Sequence, residues 1–416
     1  MEKDRRVVIT GMGVVAPNGI GVDTFWHSLR DGRSGIVKIT RFDVSSYSSQ
    51  IAGQVDHFDP LDFMSLKSAR RMDRFAQLSV AGAQMALSDA NLEILETNSD
   101  KVGIALGSAL GGFPLAEEQY AVFLEKGLKR VDPLLATRTF IGGSTSQISI
   151  EFGIRGHSNA IAGACAVGTD SIGYAYYAIK NSFAEIMVTG GSEAPIAPLA
   201  YGAFSLIGAL STKNGDPTRA SRPFDRERDG FVMSEGAGVL ILENLESALE
   251  RGVPIYAEII GYGTTNDAYS ITHPLPDGSQ ARKAIELAIR NAGVVPQDID
   301  YINAHGSSTP LNDKIETKII KEIFGEQAYK IPISSIKSMI GHSLGAAGSI
   351  EVIASVLTIK DQFIPPTINY ESPDPECDLD YVPNKGRKAS VSIVLSNSYG
   401  FGGKNSAIIL RRFPCN

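Results

Sequence analysis

The chain has 416 residues, of which 43% are hydrophobic and 42 are glycine, and a formal net charge of −7. This balance excludes a disordered or fibrous chain and fits a turn-rich globular α/β protein of two or three folding units. It also argues against bulk nucleic-acid binding, which needs a basic face, so local basic clusters matter more than the total.

Three cysteines, Cys165, Cys377 and Cys415, are widely separated and odd in number. That pattern speaks against a disulfide framework and for a reducing compartment. The opening run MEKDRRVVIT is charged and passes straight into a strand pattern, so no export signal is expected and the location expected is cytoplasmic. The most apolar stretches, such as residues 350–359, fall short of the roughly 18 residues a membrane-spanning helix needs.

In chain order, β-branched runs alternate with helical periodicity. Residues 6–10 read as a strand, 75–90 as a helix, 102–106 as a strand and 115–126 as a helix. Gly11, Gly13 and Ala16 follow the first strand with the spacing of a dinucleotide fingerprint, but Pro17-Asn18-Gly19 punctuates the chain where that motif must open a helix. The glycines are therefore read as a tight strand-to-loop turn. Further on, a strand over 160–164, a turn over 165–168 and a helix over 169–181 are echoed by 331–336, 337–342 and 344–360. Glycine-containing strand ends precede each set, at 104–112 and 301–310, so two similar α/β halves are expected, 1–255 and 256–416.

Cys165 lies in the predicted turn Gly163-Ala164-Cys165-Ala166-Val167-Gly168, among small neighbours and before a helix. A helix N-terminus favours thiolate, the reactive form, so the position suits a nucleophile; a small buried hydrophobe is the other reading. Cys377 and Cys415 have no such setting. Of six histidines, His305 and His342 occupy glycine-rich turns at strand ends, where function concentrates, whereas His27, His57 and His157 do not. His342 opens a helical pattern, whose dipole would keep its imidazole neutral. No two of these residues have metal-ligand spacing, so no metal is expected.

The chain resembles the β-ketoacyl-acyl carrier protein synthases, in particular the elongating type II subgroup with a Cys-His-His set. The motifs that carry the resemblance span nearly the whole length: Val8-Ile9-Thr10-Gly11-Met12-Gly13, Ala164-Cys165-Ala166, Ser221-Arg222-Pro223-Phe224-Asp225, Asn303-Ala304-His305-Gly306, Lys337-Ser338-Met339, Gly341-His342 and Asn397-Ser398-Tyr399-Gly400-Phe401-Gly402-Gly403. The resemblance implies a thiolase-like fold, two duplicated halves in a layered α-β-α-β-α core. It implies that Cys165 takes an acyl group from a phosphopantetheine thioester, that His305 and His342 stabilise the enolate left when a malonyl thioester loses carbon dioxide, and that the N–H groups of Cys165 and Phe401 bind the tetrahedral oxyanion. Lys337 would orient the histidines through an ionic network with Asp313, Glu316 and Glu351. Ser307, where the family more often has threonine, and Thr309 would line the phosphopantetheine tunnel. Leu110 falls at the acyl-pocket position, and Phe401 resembles a gating phenylalanine.

The resemblance further implies an acidic acyl carrier protein as partner, met by Lys67, Arg70, Arg71 and Arg74 and by Lys129 and Arg130, although solvated helix faces are the commoner reading of such runs. A homodimer is implied, with a heterodimer beside a chain-length factor as the alternative, and no cofactor bound by the chain itself. Ile336, Ile340, Ser343 and Tyr399 depart from the commonest fatty-acid pattern towards polyketide ketosynthases, so a ketosynthase α-subunit of a polyketide or polyene pathway is the rival reading. A degradative thiolase would be expected to carry a second catalytic cysteine in the loop that here holds Phe401. Retention of Cys165, His305, His342 and Lys337 together opposes a non-enzymatic scaffold.

Overall fold

The computed structural model describes residues 5–413, so Cys415 lies outside the described residues. In chain order the first set of principal elements is β1 (Val7–Ala16), α1 (Arg74–Asp89), β2 (Val102–Ser108), α2 (Gly143–Phe152), β3 (Ser158–Ala162), α3 (Val167–Lys180), β4 (Ile186–Glu193) and β5 (Gly236–Asn244). The second set is β6 (Ala257–Asn266), α4 (Ser279–Ala292), β7 (Tyr301–Asn303), α5 (Pro310–Phe324), β8 (Ile333–Ser334), α6 (Ala347–Asp361), β9 (Ile393–Gly400) and β10 (Lys404–Arg411). The two sets repeat one order of strands and helices.

Strand pairing repeats as well. The first sheet runs β3-β2-β4-β5-β1 and the second runs β8-β7-β9-β10-β6, in each case with the first three strands parallel and the last two antiparallel additions. The sheets join along one edge, where Val7–Ile9 pairs antiparallel with residues 257–259. Helices α1 and α2 cover the outer face of the first sheet, α4 and α5 that of the second, and α3 and α6 pack between the sheets. This is the α-β-α-β-α layering expected of the thiolase-like fold. Helix α6 shows why its sequence is apolar without being a membrane span: residues 347–359 are all buried, because a helix in the central layer meets a sheet on either side.

One expectation from the sequence is corrected. The first strand does not turn at Gly11; it continues to Ala16, fully buried, with a register shift between Ile9 and Gly11. Its glycines are set by packing. A Cβ on Gly11 would lie 2.3 Å from the Ala86 carbonyl oxygen of α1, and one on Gly13 would lie 2.0 Å from that of Gly82. The second half repeats the device, with Gly261 at 2.3 Å from the Ala288 oxygen and Gly263 at 2.2 Å from that of Ala284. Helix and strand backbones are in near contact at both places, which no side chain permits.

Gly13→Ala and Gly263→Ala should therefore each cost about 1–3 kcal/mol, the usual range for overpacking. Gly215→Ala, where nothing lies within 4 Å of the added carbon, should leave the denaturant midpoint unchanged. Equal midpoints for all three variants would show that the strand–helix approach has slack.

Candidate active site

Each half crosses from its third strand to its central helix through a turn, and the two turns meet. A Cβ on Gly168, in the first turn of α3, would lie 2.8 Å from the backbone nitrogen of Ser349, and one on Gly348, in the first turn of α6, would lie 2.2 Å from Thr169 Oγ1. The glycines let the two helix ends touch. Cys165 precedes α3, while Lys337 and His342 stand between β8 and α6. His305 follows β7, and Phe401 lies in the link between β9 and β10. A cavity of about 340 Å³ opens onto this junction, lined by Cys165, His305, Ser307, Thr309, His342 and Phe401 among others.

The histidines are held from their backbones. His305 and Gly306 each donate an N–H to the buried Glu316 carboxylate at 2.8 Å. His342 donates its N–H to the Val232 carbonyl at 2.7 Å and accepts from the Ser234 N–H at 3.0 Å. The rings stand edge to face with centroids 5.2 Å apart. Behind them Lys337 is buried and ion-paired with the equally buried Glu351. Its ammonium also lies 3.5 Å from His305 Nδ1. An ammonium only donates, so this contact makes Nδ1 an acceptor and places the ring proton on Nε2.

Burial pushes both imidazole pKa values well below the ordinary 6.5, and the charge of Lys337 adds to the effect. His342 is thus kept neutral, as the sequence suggested, with burial as the larger cause and Lys337 as the second. The thiol reverses expectation. Burial pushes Cys165 up to about 12, against the opposing pull of Lys337 and of the backbone N–H groups of Phe401 and Cys165 itself. Desolvation outweighs these opposing contributions, so the resting group is a neutral thiol. The same N–H groups act on the sulfur, so two backbone donors stand beside it.

Residues 4–248 match the family model for the β-ketoacyl synthase N-terminal domain, and residues 256–371 match that for its C-terminal domain. The chain belongs to the β-ketoacyl synthase family. It is 47% identical to a 3-oxoacyl-[acyl-carrier-protein] synthase 2 of Synechocystis sp. over 98% of both chains. It is 46% identical to a protein of the same name from Coxiella burnetii over 99% of both. Among solved structures, it matches a type II polyketide acyl-carrier protein in complex with its ketosynthase at a TM-score of 0.91 and 38% identity, over 99% of this chain and 100% of that one. It matches the ishigamide ketosynthase/chain length factor at 0.91 and 37%, with the same coverage.

Within this synthase the sequence-derived candidates separate. Cys165, His305, His342 and Phe401 share the cavity, with Ser307 and Thr309 hydrogen-bonded to each other at 2.9 Å on its wall. Leu110 does not line that cavity; it packs in the apolar cluster that includes Cys165, Phe231 and Leu344. Only Glu351 ion-pairs with Lys337. Asp313 makes its own contacts with Arg228 at 3.6 Å and with the Phe224 N–H, which it accepts at 2.8 Å, and it feels the Lys337 charge without pairing with it. Arg74 also departs from the surface role expected of it, since its guanidinium grips the buried Glu235 at 2.8 Å. Lys67, Arg70, Arg71, Lys129 and Arg130 remain exposed. Sequence reading missed Phe204, which stacks on Phe401 at 6.1 Å, and Phe231, edge-on to His342 at 5.2 Å. It also missed Glu193, whose only trace is an acidic residue ending an apolar strand.

Both rings should stay neutral as pH falls from about 8 to about 6, a range in which an unperturbed imidazole takes up a proton. Nitrogen-15 shifts of His305 and His342 should hold constant there. A titration of either ring near 6.5 would contradict the electrostatics described.

Proposed function

We propose that this synthase elongates acyl chains in fatty-acid synthesis, taking the acyl group from a carrier-bound phosphopantetheine onto Cys165 and condensing it with a malonyl thioester. The carrying observation is the single cavity in which one thiol, two neutral imidazoles and two backbone N–H donors converge. Cys165 Sγ attacks the acyl thioester carbonyl, the departing phosphopantetheine thiol takes up the proton, and an acyl-Cys165 remains. Malonyl thioester then enters. As its C–C bond to the carboxylate breaks, carbon dioxide leaves and negative charge moves to the thioester oxygen, where Nε2–H of His305 and a ring N–H of His342 donate. The enolate carbon attacks acyl-Cys165, the N–H groups of Cys165 and Phe401 stabilise the oxyanion, and the thiolate leaves and is reprotonated.

Neutral donors suit this step better than an imidazolium, which would stabilise the ground-state carboxylate as well as the developing enolate. Lys337 acts on the reaction from behind the rings, and the chain binds no cofactor of its own. Ser307 and Thr309 are suited to hydrogen-bond the phosphopantetheine arm, and Phe401, with glycines on both sides, to gate the acyl chain. The division of the chain at 255/256 falls between β5 and β6, with Cys165 in one half and His305, His342 and Phe401 in the other.

The polyketide reading has specific support in Tyr399, Ile336, Ile340 and Ser343 and in the two structural relatives at 37–38% identity. The 46–47% identity to the synthase 2 proteins over whole chains favours the fatty-acid reading. An acyl carrier protein is the proposed partner, steered by Lys67, Arg70, Arg71, Lys129 and Arg130. A homodimer is favoured by the sheet edge β3, where Ser158, Asn159 and Ala162 are exposed. The exposed Tyr120, Phe123, Leu124 and Ile150 add apolar surface to the same half. A heterodimer with a chain-length factor would use the same edge. Two unpaired buried thiols, Cys165 and Cys377, fit the cytoplasm.

Cys165→Ala should abolish condensation and retain carbon dioxide release, because the donors do not depend on the thiol. His305→Ala and His342→Ala should each slow that release by about 100- to 1,000-fold while Cys165 still accepts an acyl group. Phe401→Ala keeps its N–H and should alter acyl selection instead. Intact-protein mass and carbon dioxide release, measured separately, decide the assignment; release at the parent rate in either histidine variant would refute it.

Charge reversal at Lys67, Arg70 or Lys129 should raise KM for carrier-bound substrate and flatten its salt dependence, without affecting a small thioester. Equal losses with both substrates would make the patch structural.

A further inference from the structure

Glu193, the last residue of β4, is fully buried and, among the described residues, has no ion-pair partner. Its carboxylate instead collects four hydrogen bonds from two separate turns. Oε1 accepts from Ser108 Oγ at 3.0 Å and from the Leu110 N–H at 3.1 Å, while Oε2 accepts from the Ala109 N–H at 2.7 Å and the Gly345 N–H at 3.1 Å. Ser108 Oγ in turn accepts from the Gly111 N–H at 2.9 Å, which closes the turn that carries Leu110. Gly345 belongs to the turn after His342, and a Cβ there would sit 2.6 Å from Glu193 Oε2, so the carboxylate is wedged between the two segments.

Both segments wall the same apolar region. Leu110 and Ala109 on one side and Leu344 on the other pack in the cluster that contains Cys165, Phe231, Met233 and Tyr201. A carboxylate buried without a cation is costly, and burial pushes this one up to about 7. The cost is offset only while all four donors are in place, so the arrangement resists any change in the spacing of the two turns.

We propose that Glu193 is a positioning residue that fixes the distance between the Leu110 turn and the Leu344–Gly345 turn and thereby sets which acyl chains fit beside Cys165. The inference rests on the reading of Cys165 as the acylated nucleophile. It makes a chemical distinction between Glu193 and its amide. Glutamine offers one acceptor oxygen where the carboxylate offers two, and its NH₂ must face one pair of donors. The Ser108 hydroxyl can rotate to accept that NH₂, so the amide nitrogen turns towards Ser108 and Leu110, and the Leu110 N–H loses its partner. Glu193→Gln therefore loosens the Leu110 wall selectively.

The test is acylation of Cys165, followed by intact mass, with carrier-bound acyl groups of graded length. Glu193→Gln should change the ratio of long-chain to short-chain acylation on the order of tenfold, and Glu193→Asp, too short to reach both turns, should change it too. In a Leu110→Ala background the Glu193→Gln substitution should add nothing, since the effect passes through Leu110. Should the Glu193 variants fail to fold, Ser108→Ala removes one donor and leaves the carboxylate, and it should move the same ratio in the same direction. A uniform loss at every chain length would overturn the inference, as would an undiminished effect without Leu110, or no shift from Ser108→Ala. Absence of acylation in the unchanged protein would overturn the reading of Cys165 and this inference with it.

Discussion

The architecture of the site depends on one close approach, that of Gly168 to Gly348 at the first turns of the two central helices. Each glycine occupies space in which a side chain would strike the other helix. Because α3 and α6 both lie between the sheets, their N-termini can meet only if the backbones touch. That contact brings the turn before each helix to the same place. Cys165 comes from one half and His342 from the other, and neither half alone contains the set. The same crowding recurs one layer out, where a Cβ on Gly400 would lie 2.8 Å from the backbone nitrogen of Cys165, so the Phe401 loop can close over the sulfur only with glycine before it.

Electrostatics then follows from depth. The side chains at the junction are buried, and burial disfavours every charge placed there. Lys337 and Glu351 answer that by pairing, and Glu316 by accepting two backbone N–H groups. The histidines answer it by staying neutral, which also serves the chemistry, since a neutral N–H donor gains most when charge appears on the substrate. The ammonium of Lys337 thus has two effects at a distance, discouraging protonation of both rings and fixing the His305 tautomer. The thiol carries the cost of this environment. It rests protonated, its pKa pushed up to about 12 by burial.

Much of this was legible in the sequence, and what was not has a physical reason. The turn at Cys165 and the histidine turns are local patterns and are found where they were expected; the repeated strand-turn-helix order is found too, although its first strand is Ser158–Ala162 and largely exposed, its second is only Ile333–Ser334, and Lys337–Ile340 forms a short helix. The Gly11-x-Gly13 pair reads as a turn because local punctuation and close strand–helix packing both select glycine. Its echo at Gly261-x-Gly263, on the equivalent strand, is the signal that would have told the two apart. The roles of Asp313 and Arg74 rest on the family resemblance alone, and the ion-pair partners they have here, Arg228 and Glu235, are 85 and 161 positions away. Long-range pairing of buried charge leaves no local mark. Glu193 is a further case of the same kind, since the donors that define it come from segments 84 and 152 positions distant.

The duplication explains why the two crossover turns could diverge. Cys165 stands three residues before Gly168, and Gly345 stands three before Gly348, so glycine occupies the position in the second half that the nucleophile holds in the first. A side chain there is impossible, because a Cβ on Gly345 would meet Glu193 at 2.6 Å and the Ala109 nitrogen at 2.7 Å. Both turns reach the cavity, through Cys165 and His342, but in the second Gly345 packs against the first half's Leu110 turn. One turn therefore presents a thiol to the cavity, and the other an imidazole. This asymmetry within a repeated frame is what converts two similar halves into one site with a thiol on one side and hydrogen-bond donors on the other.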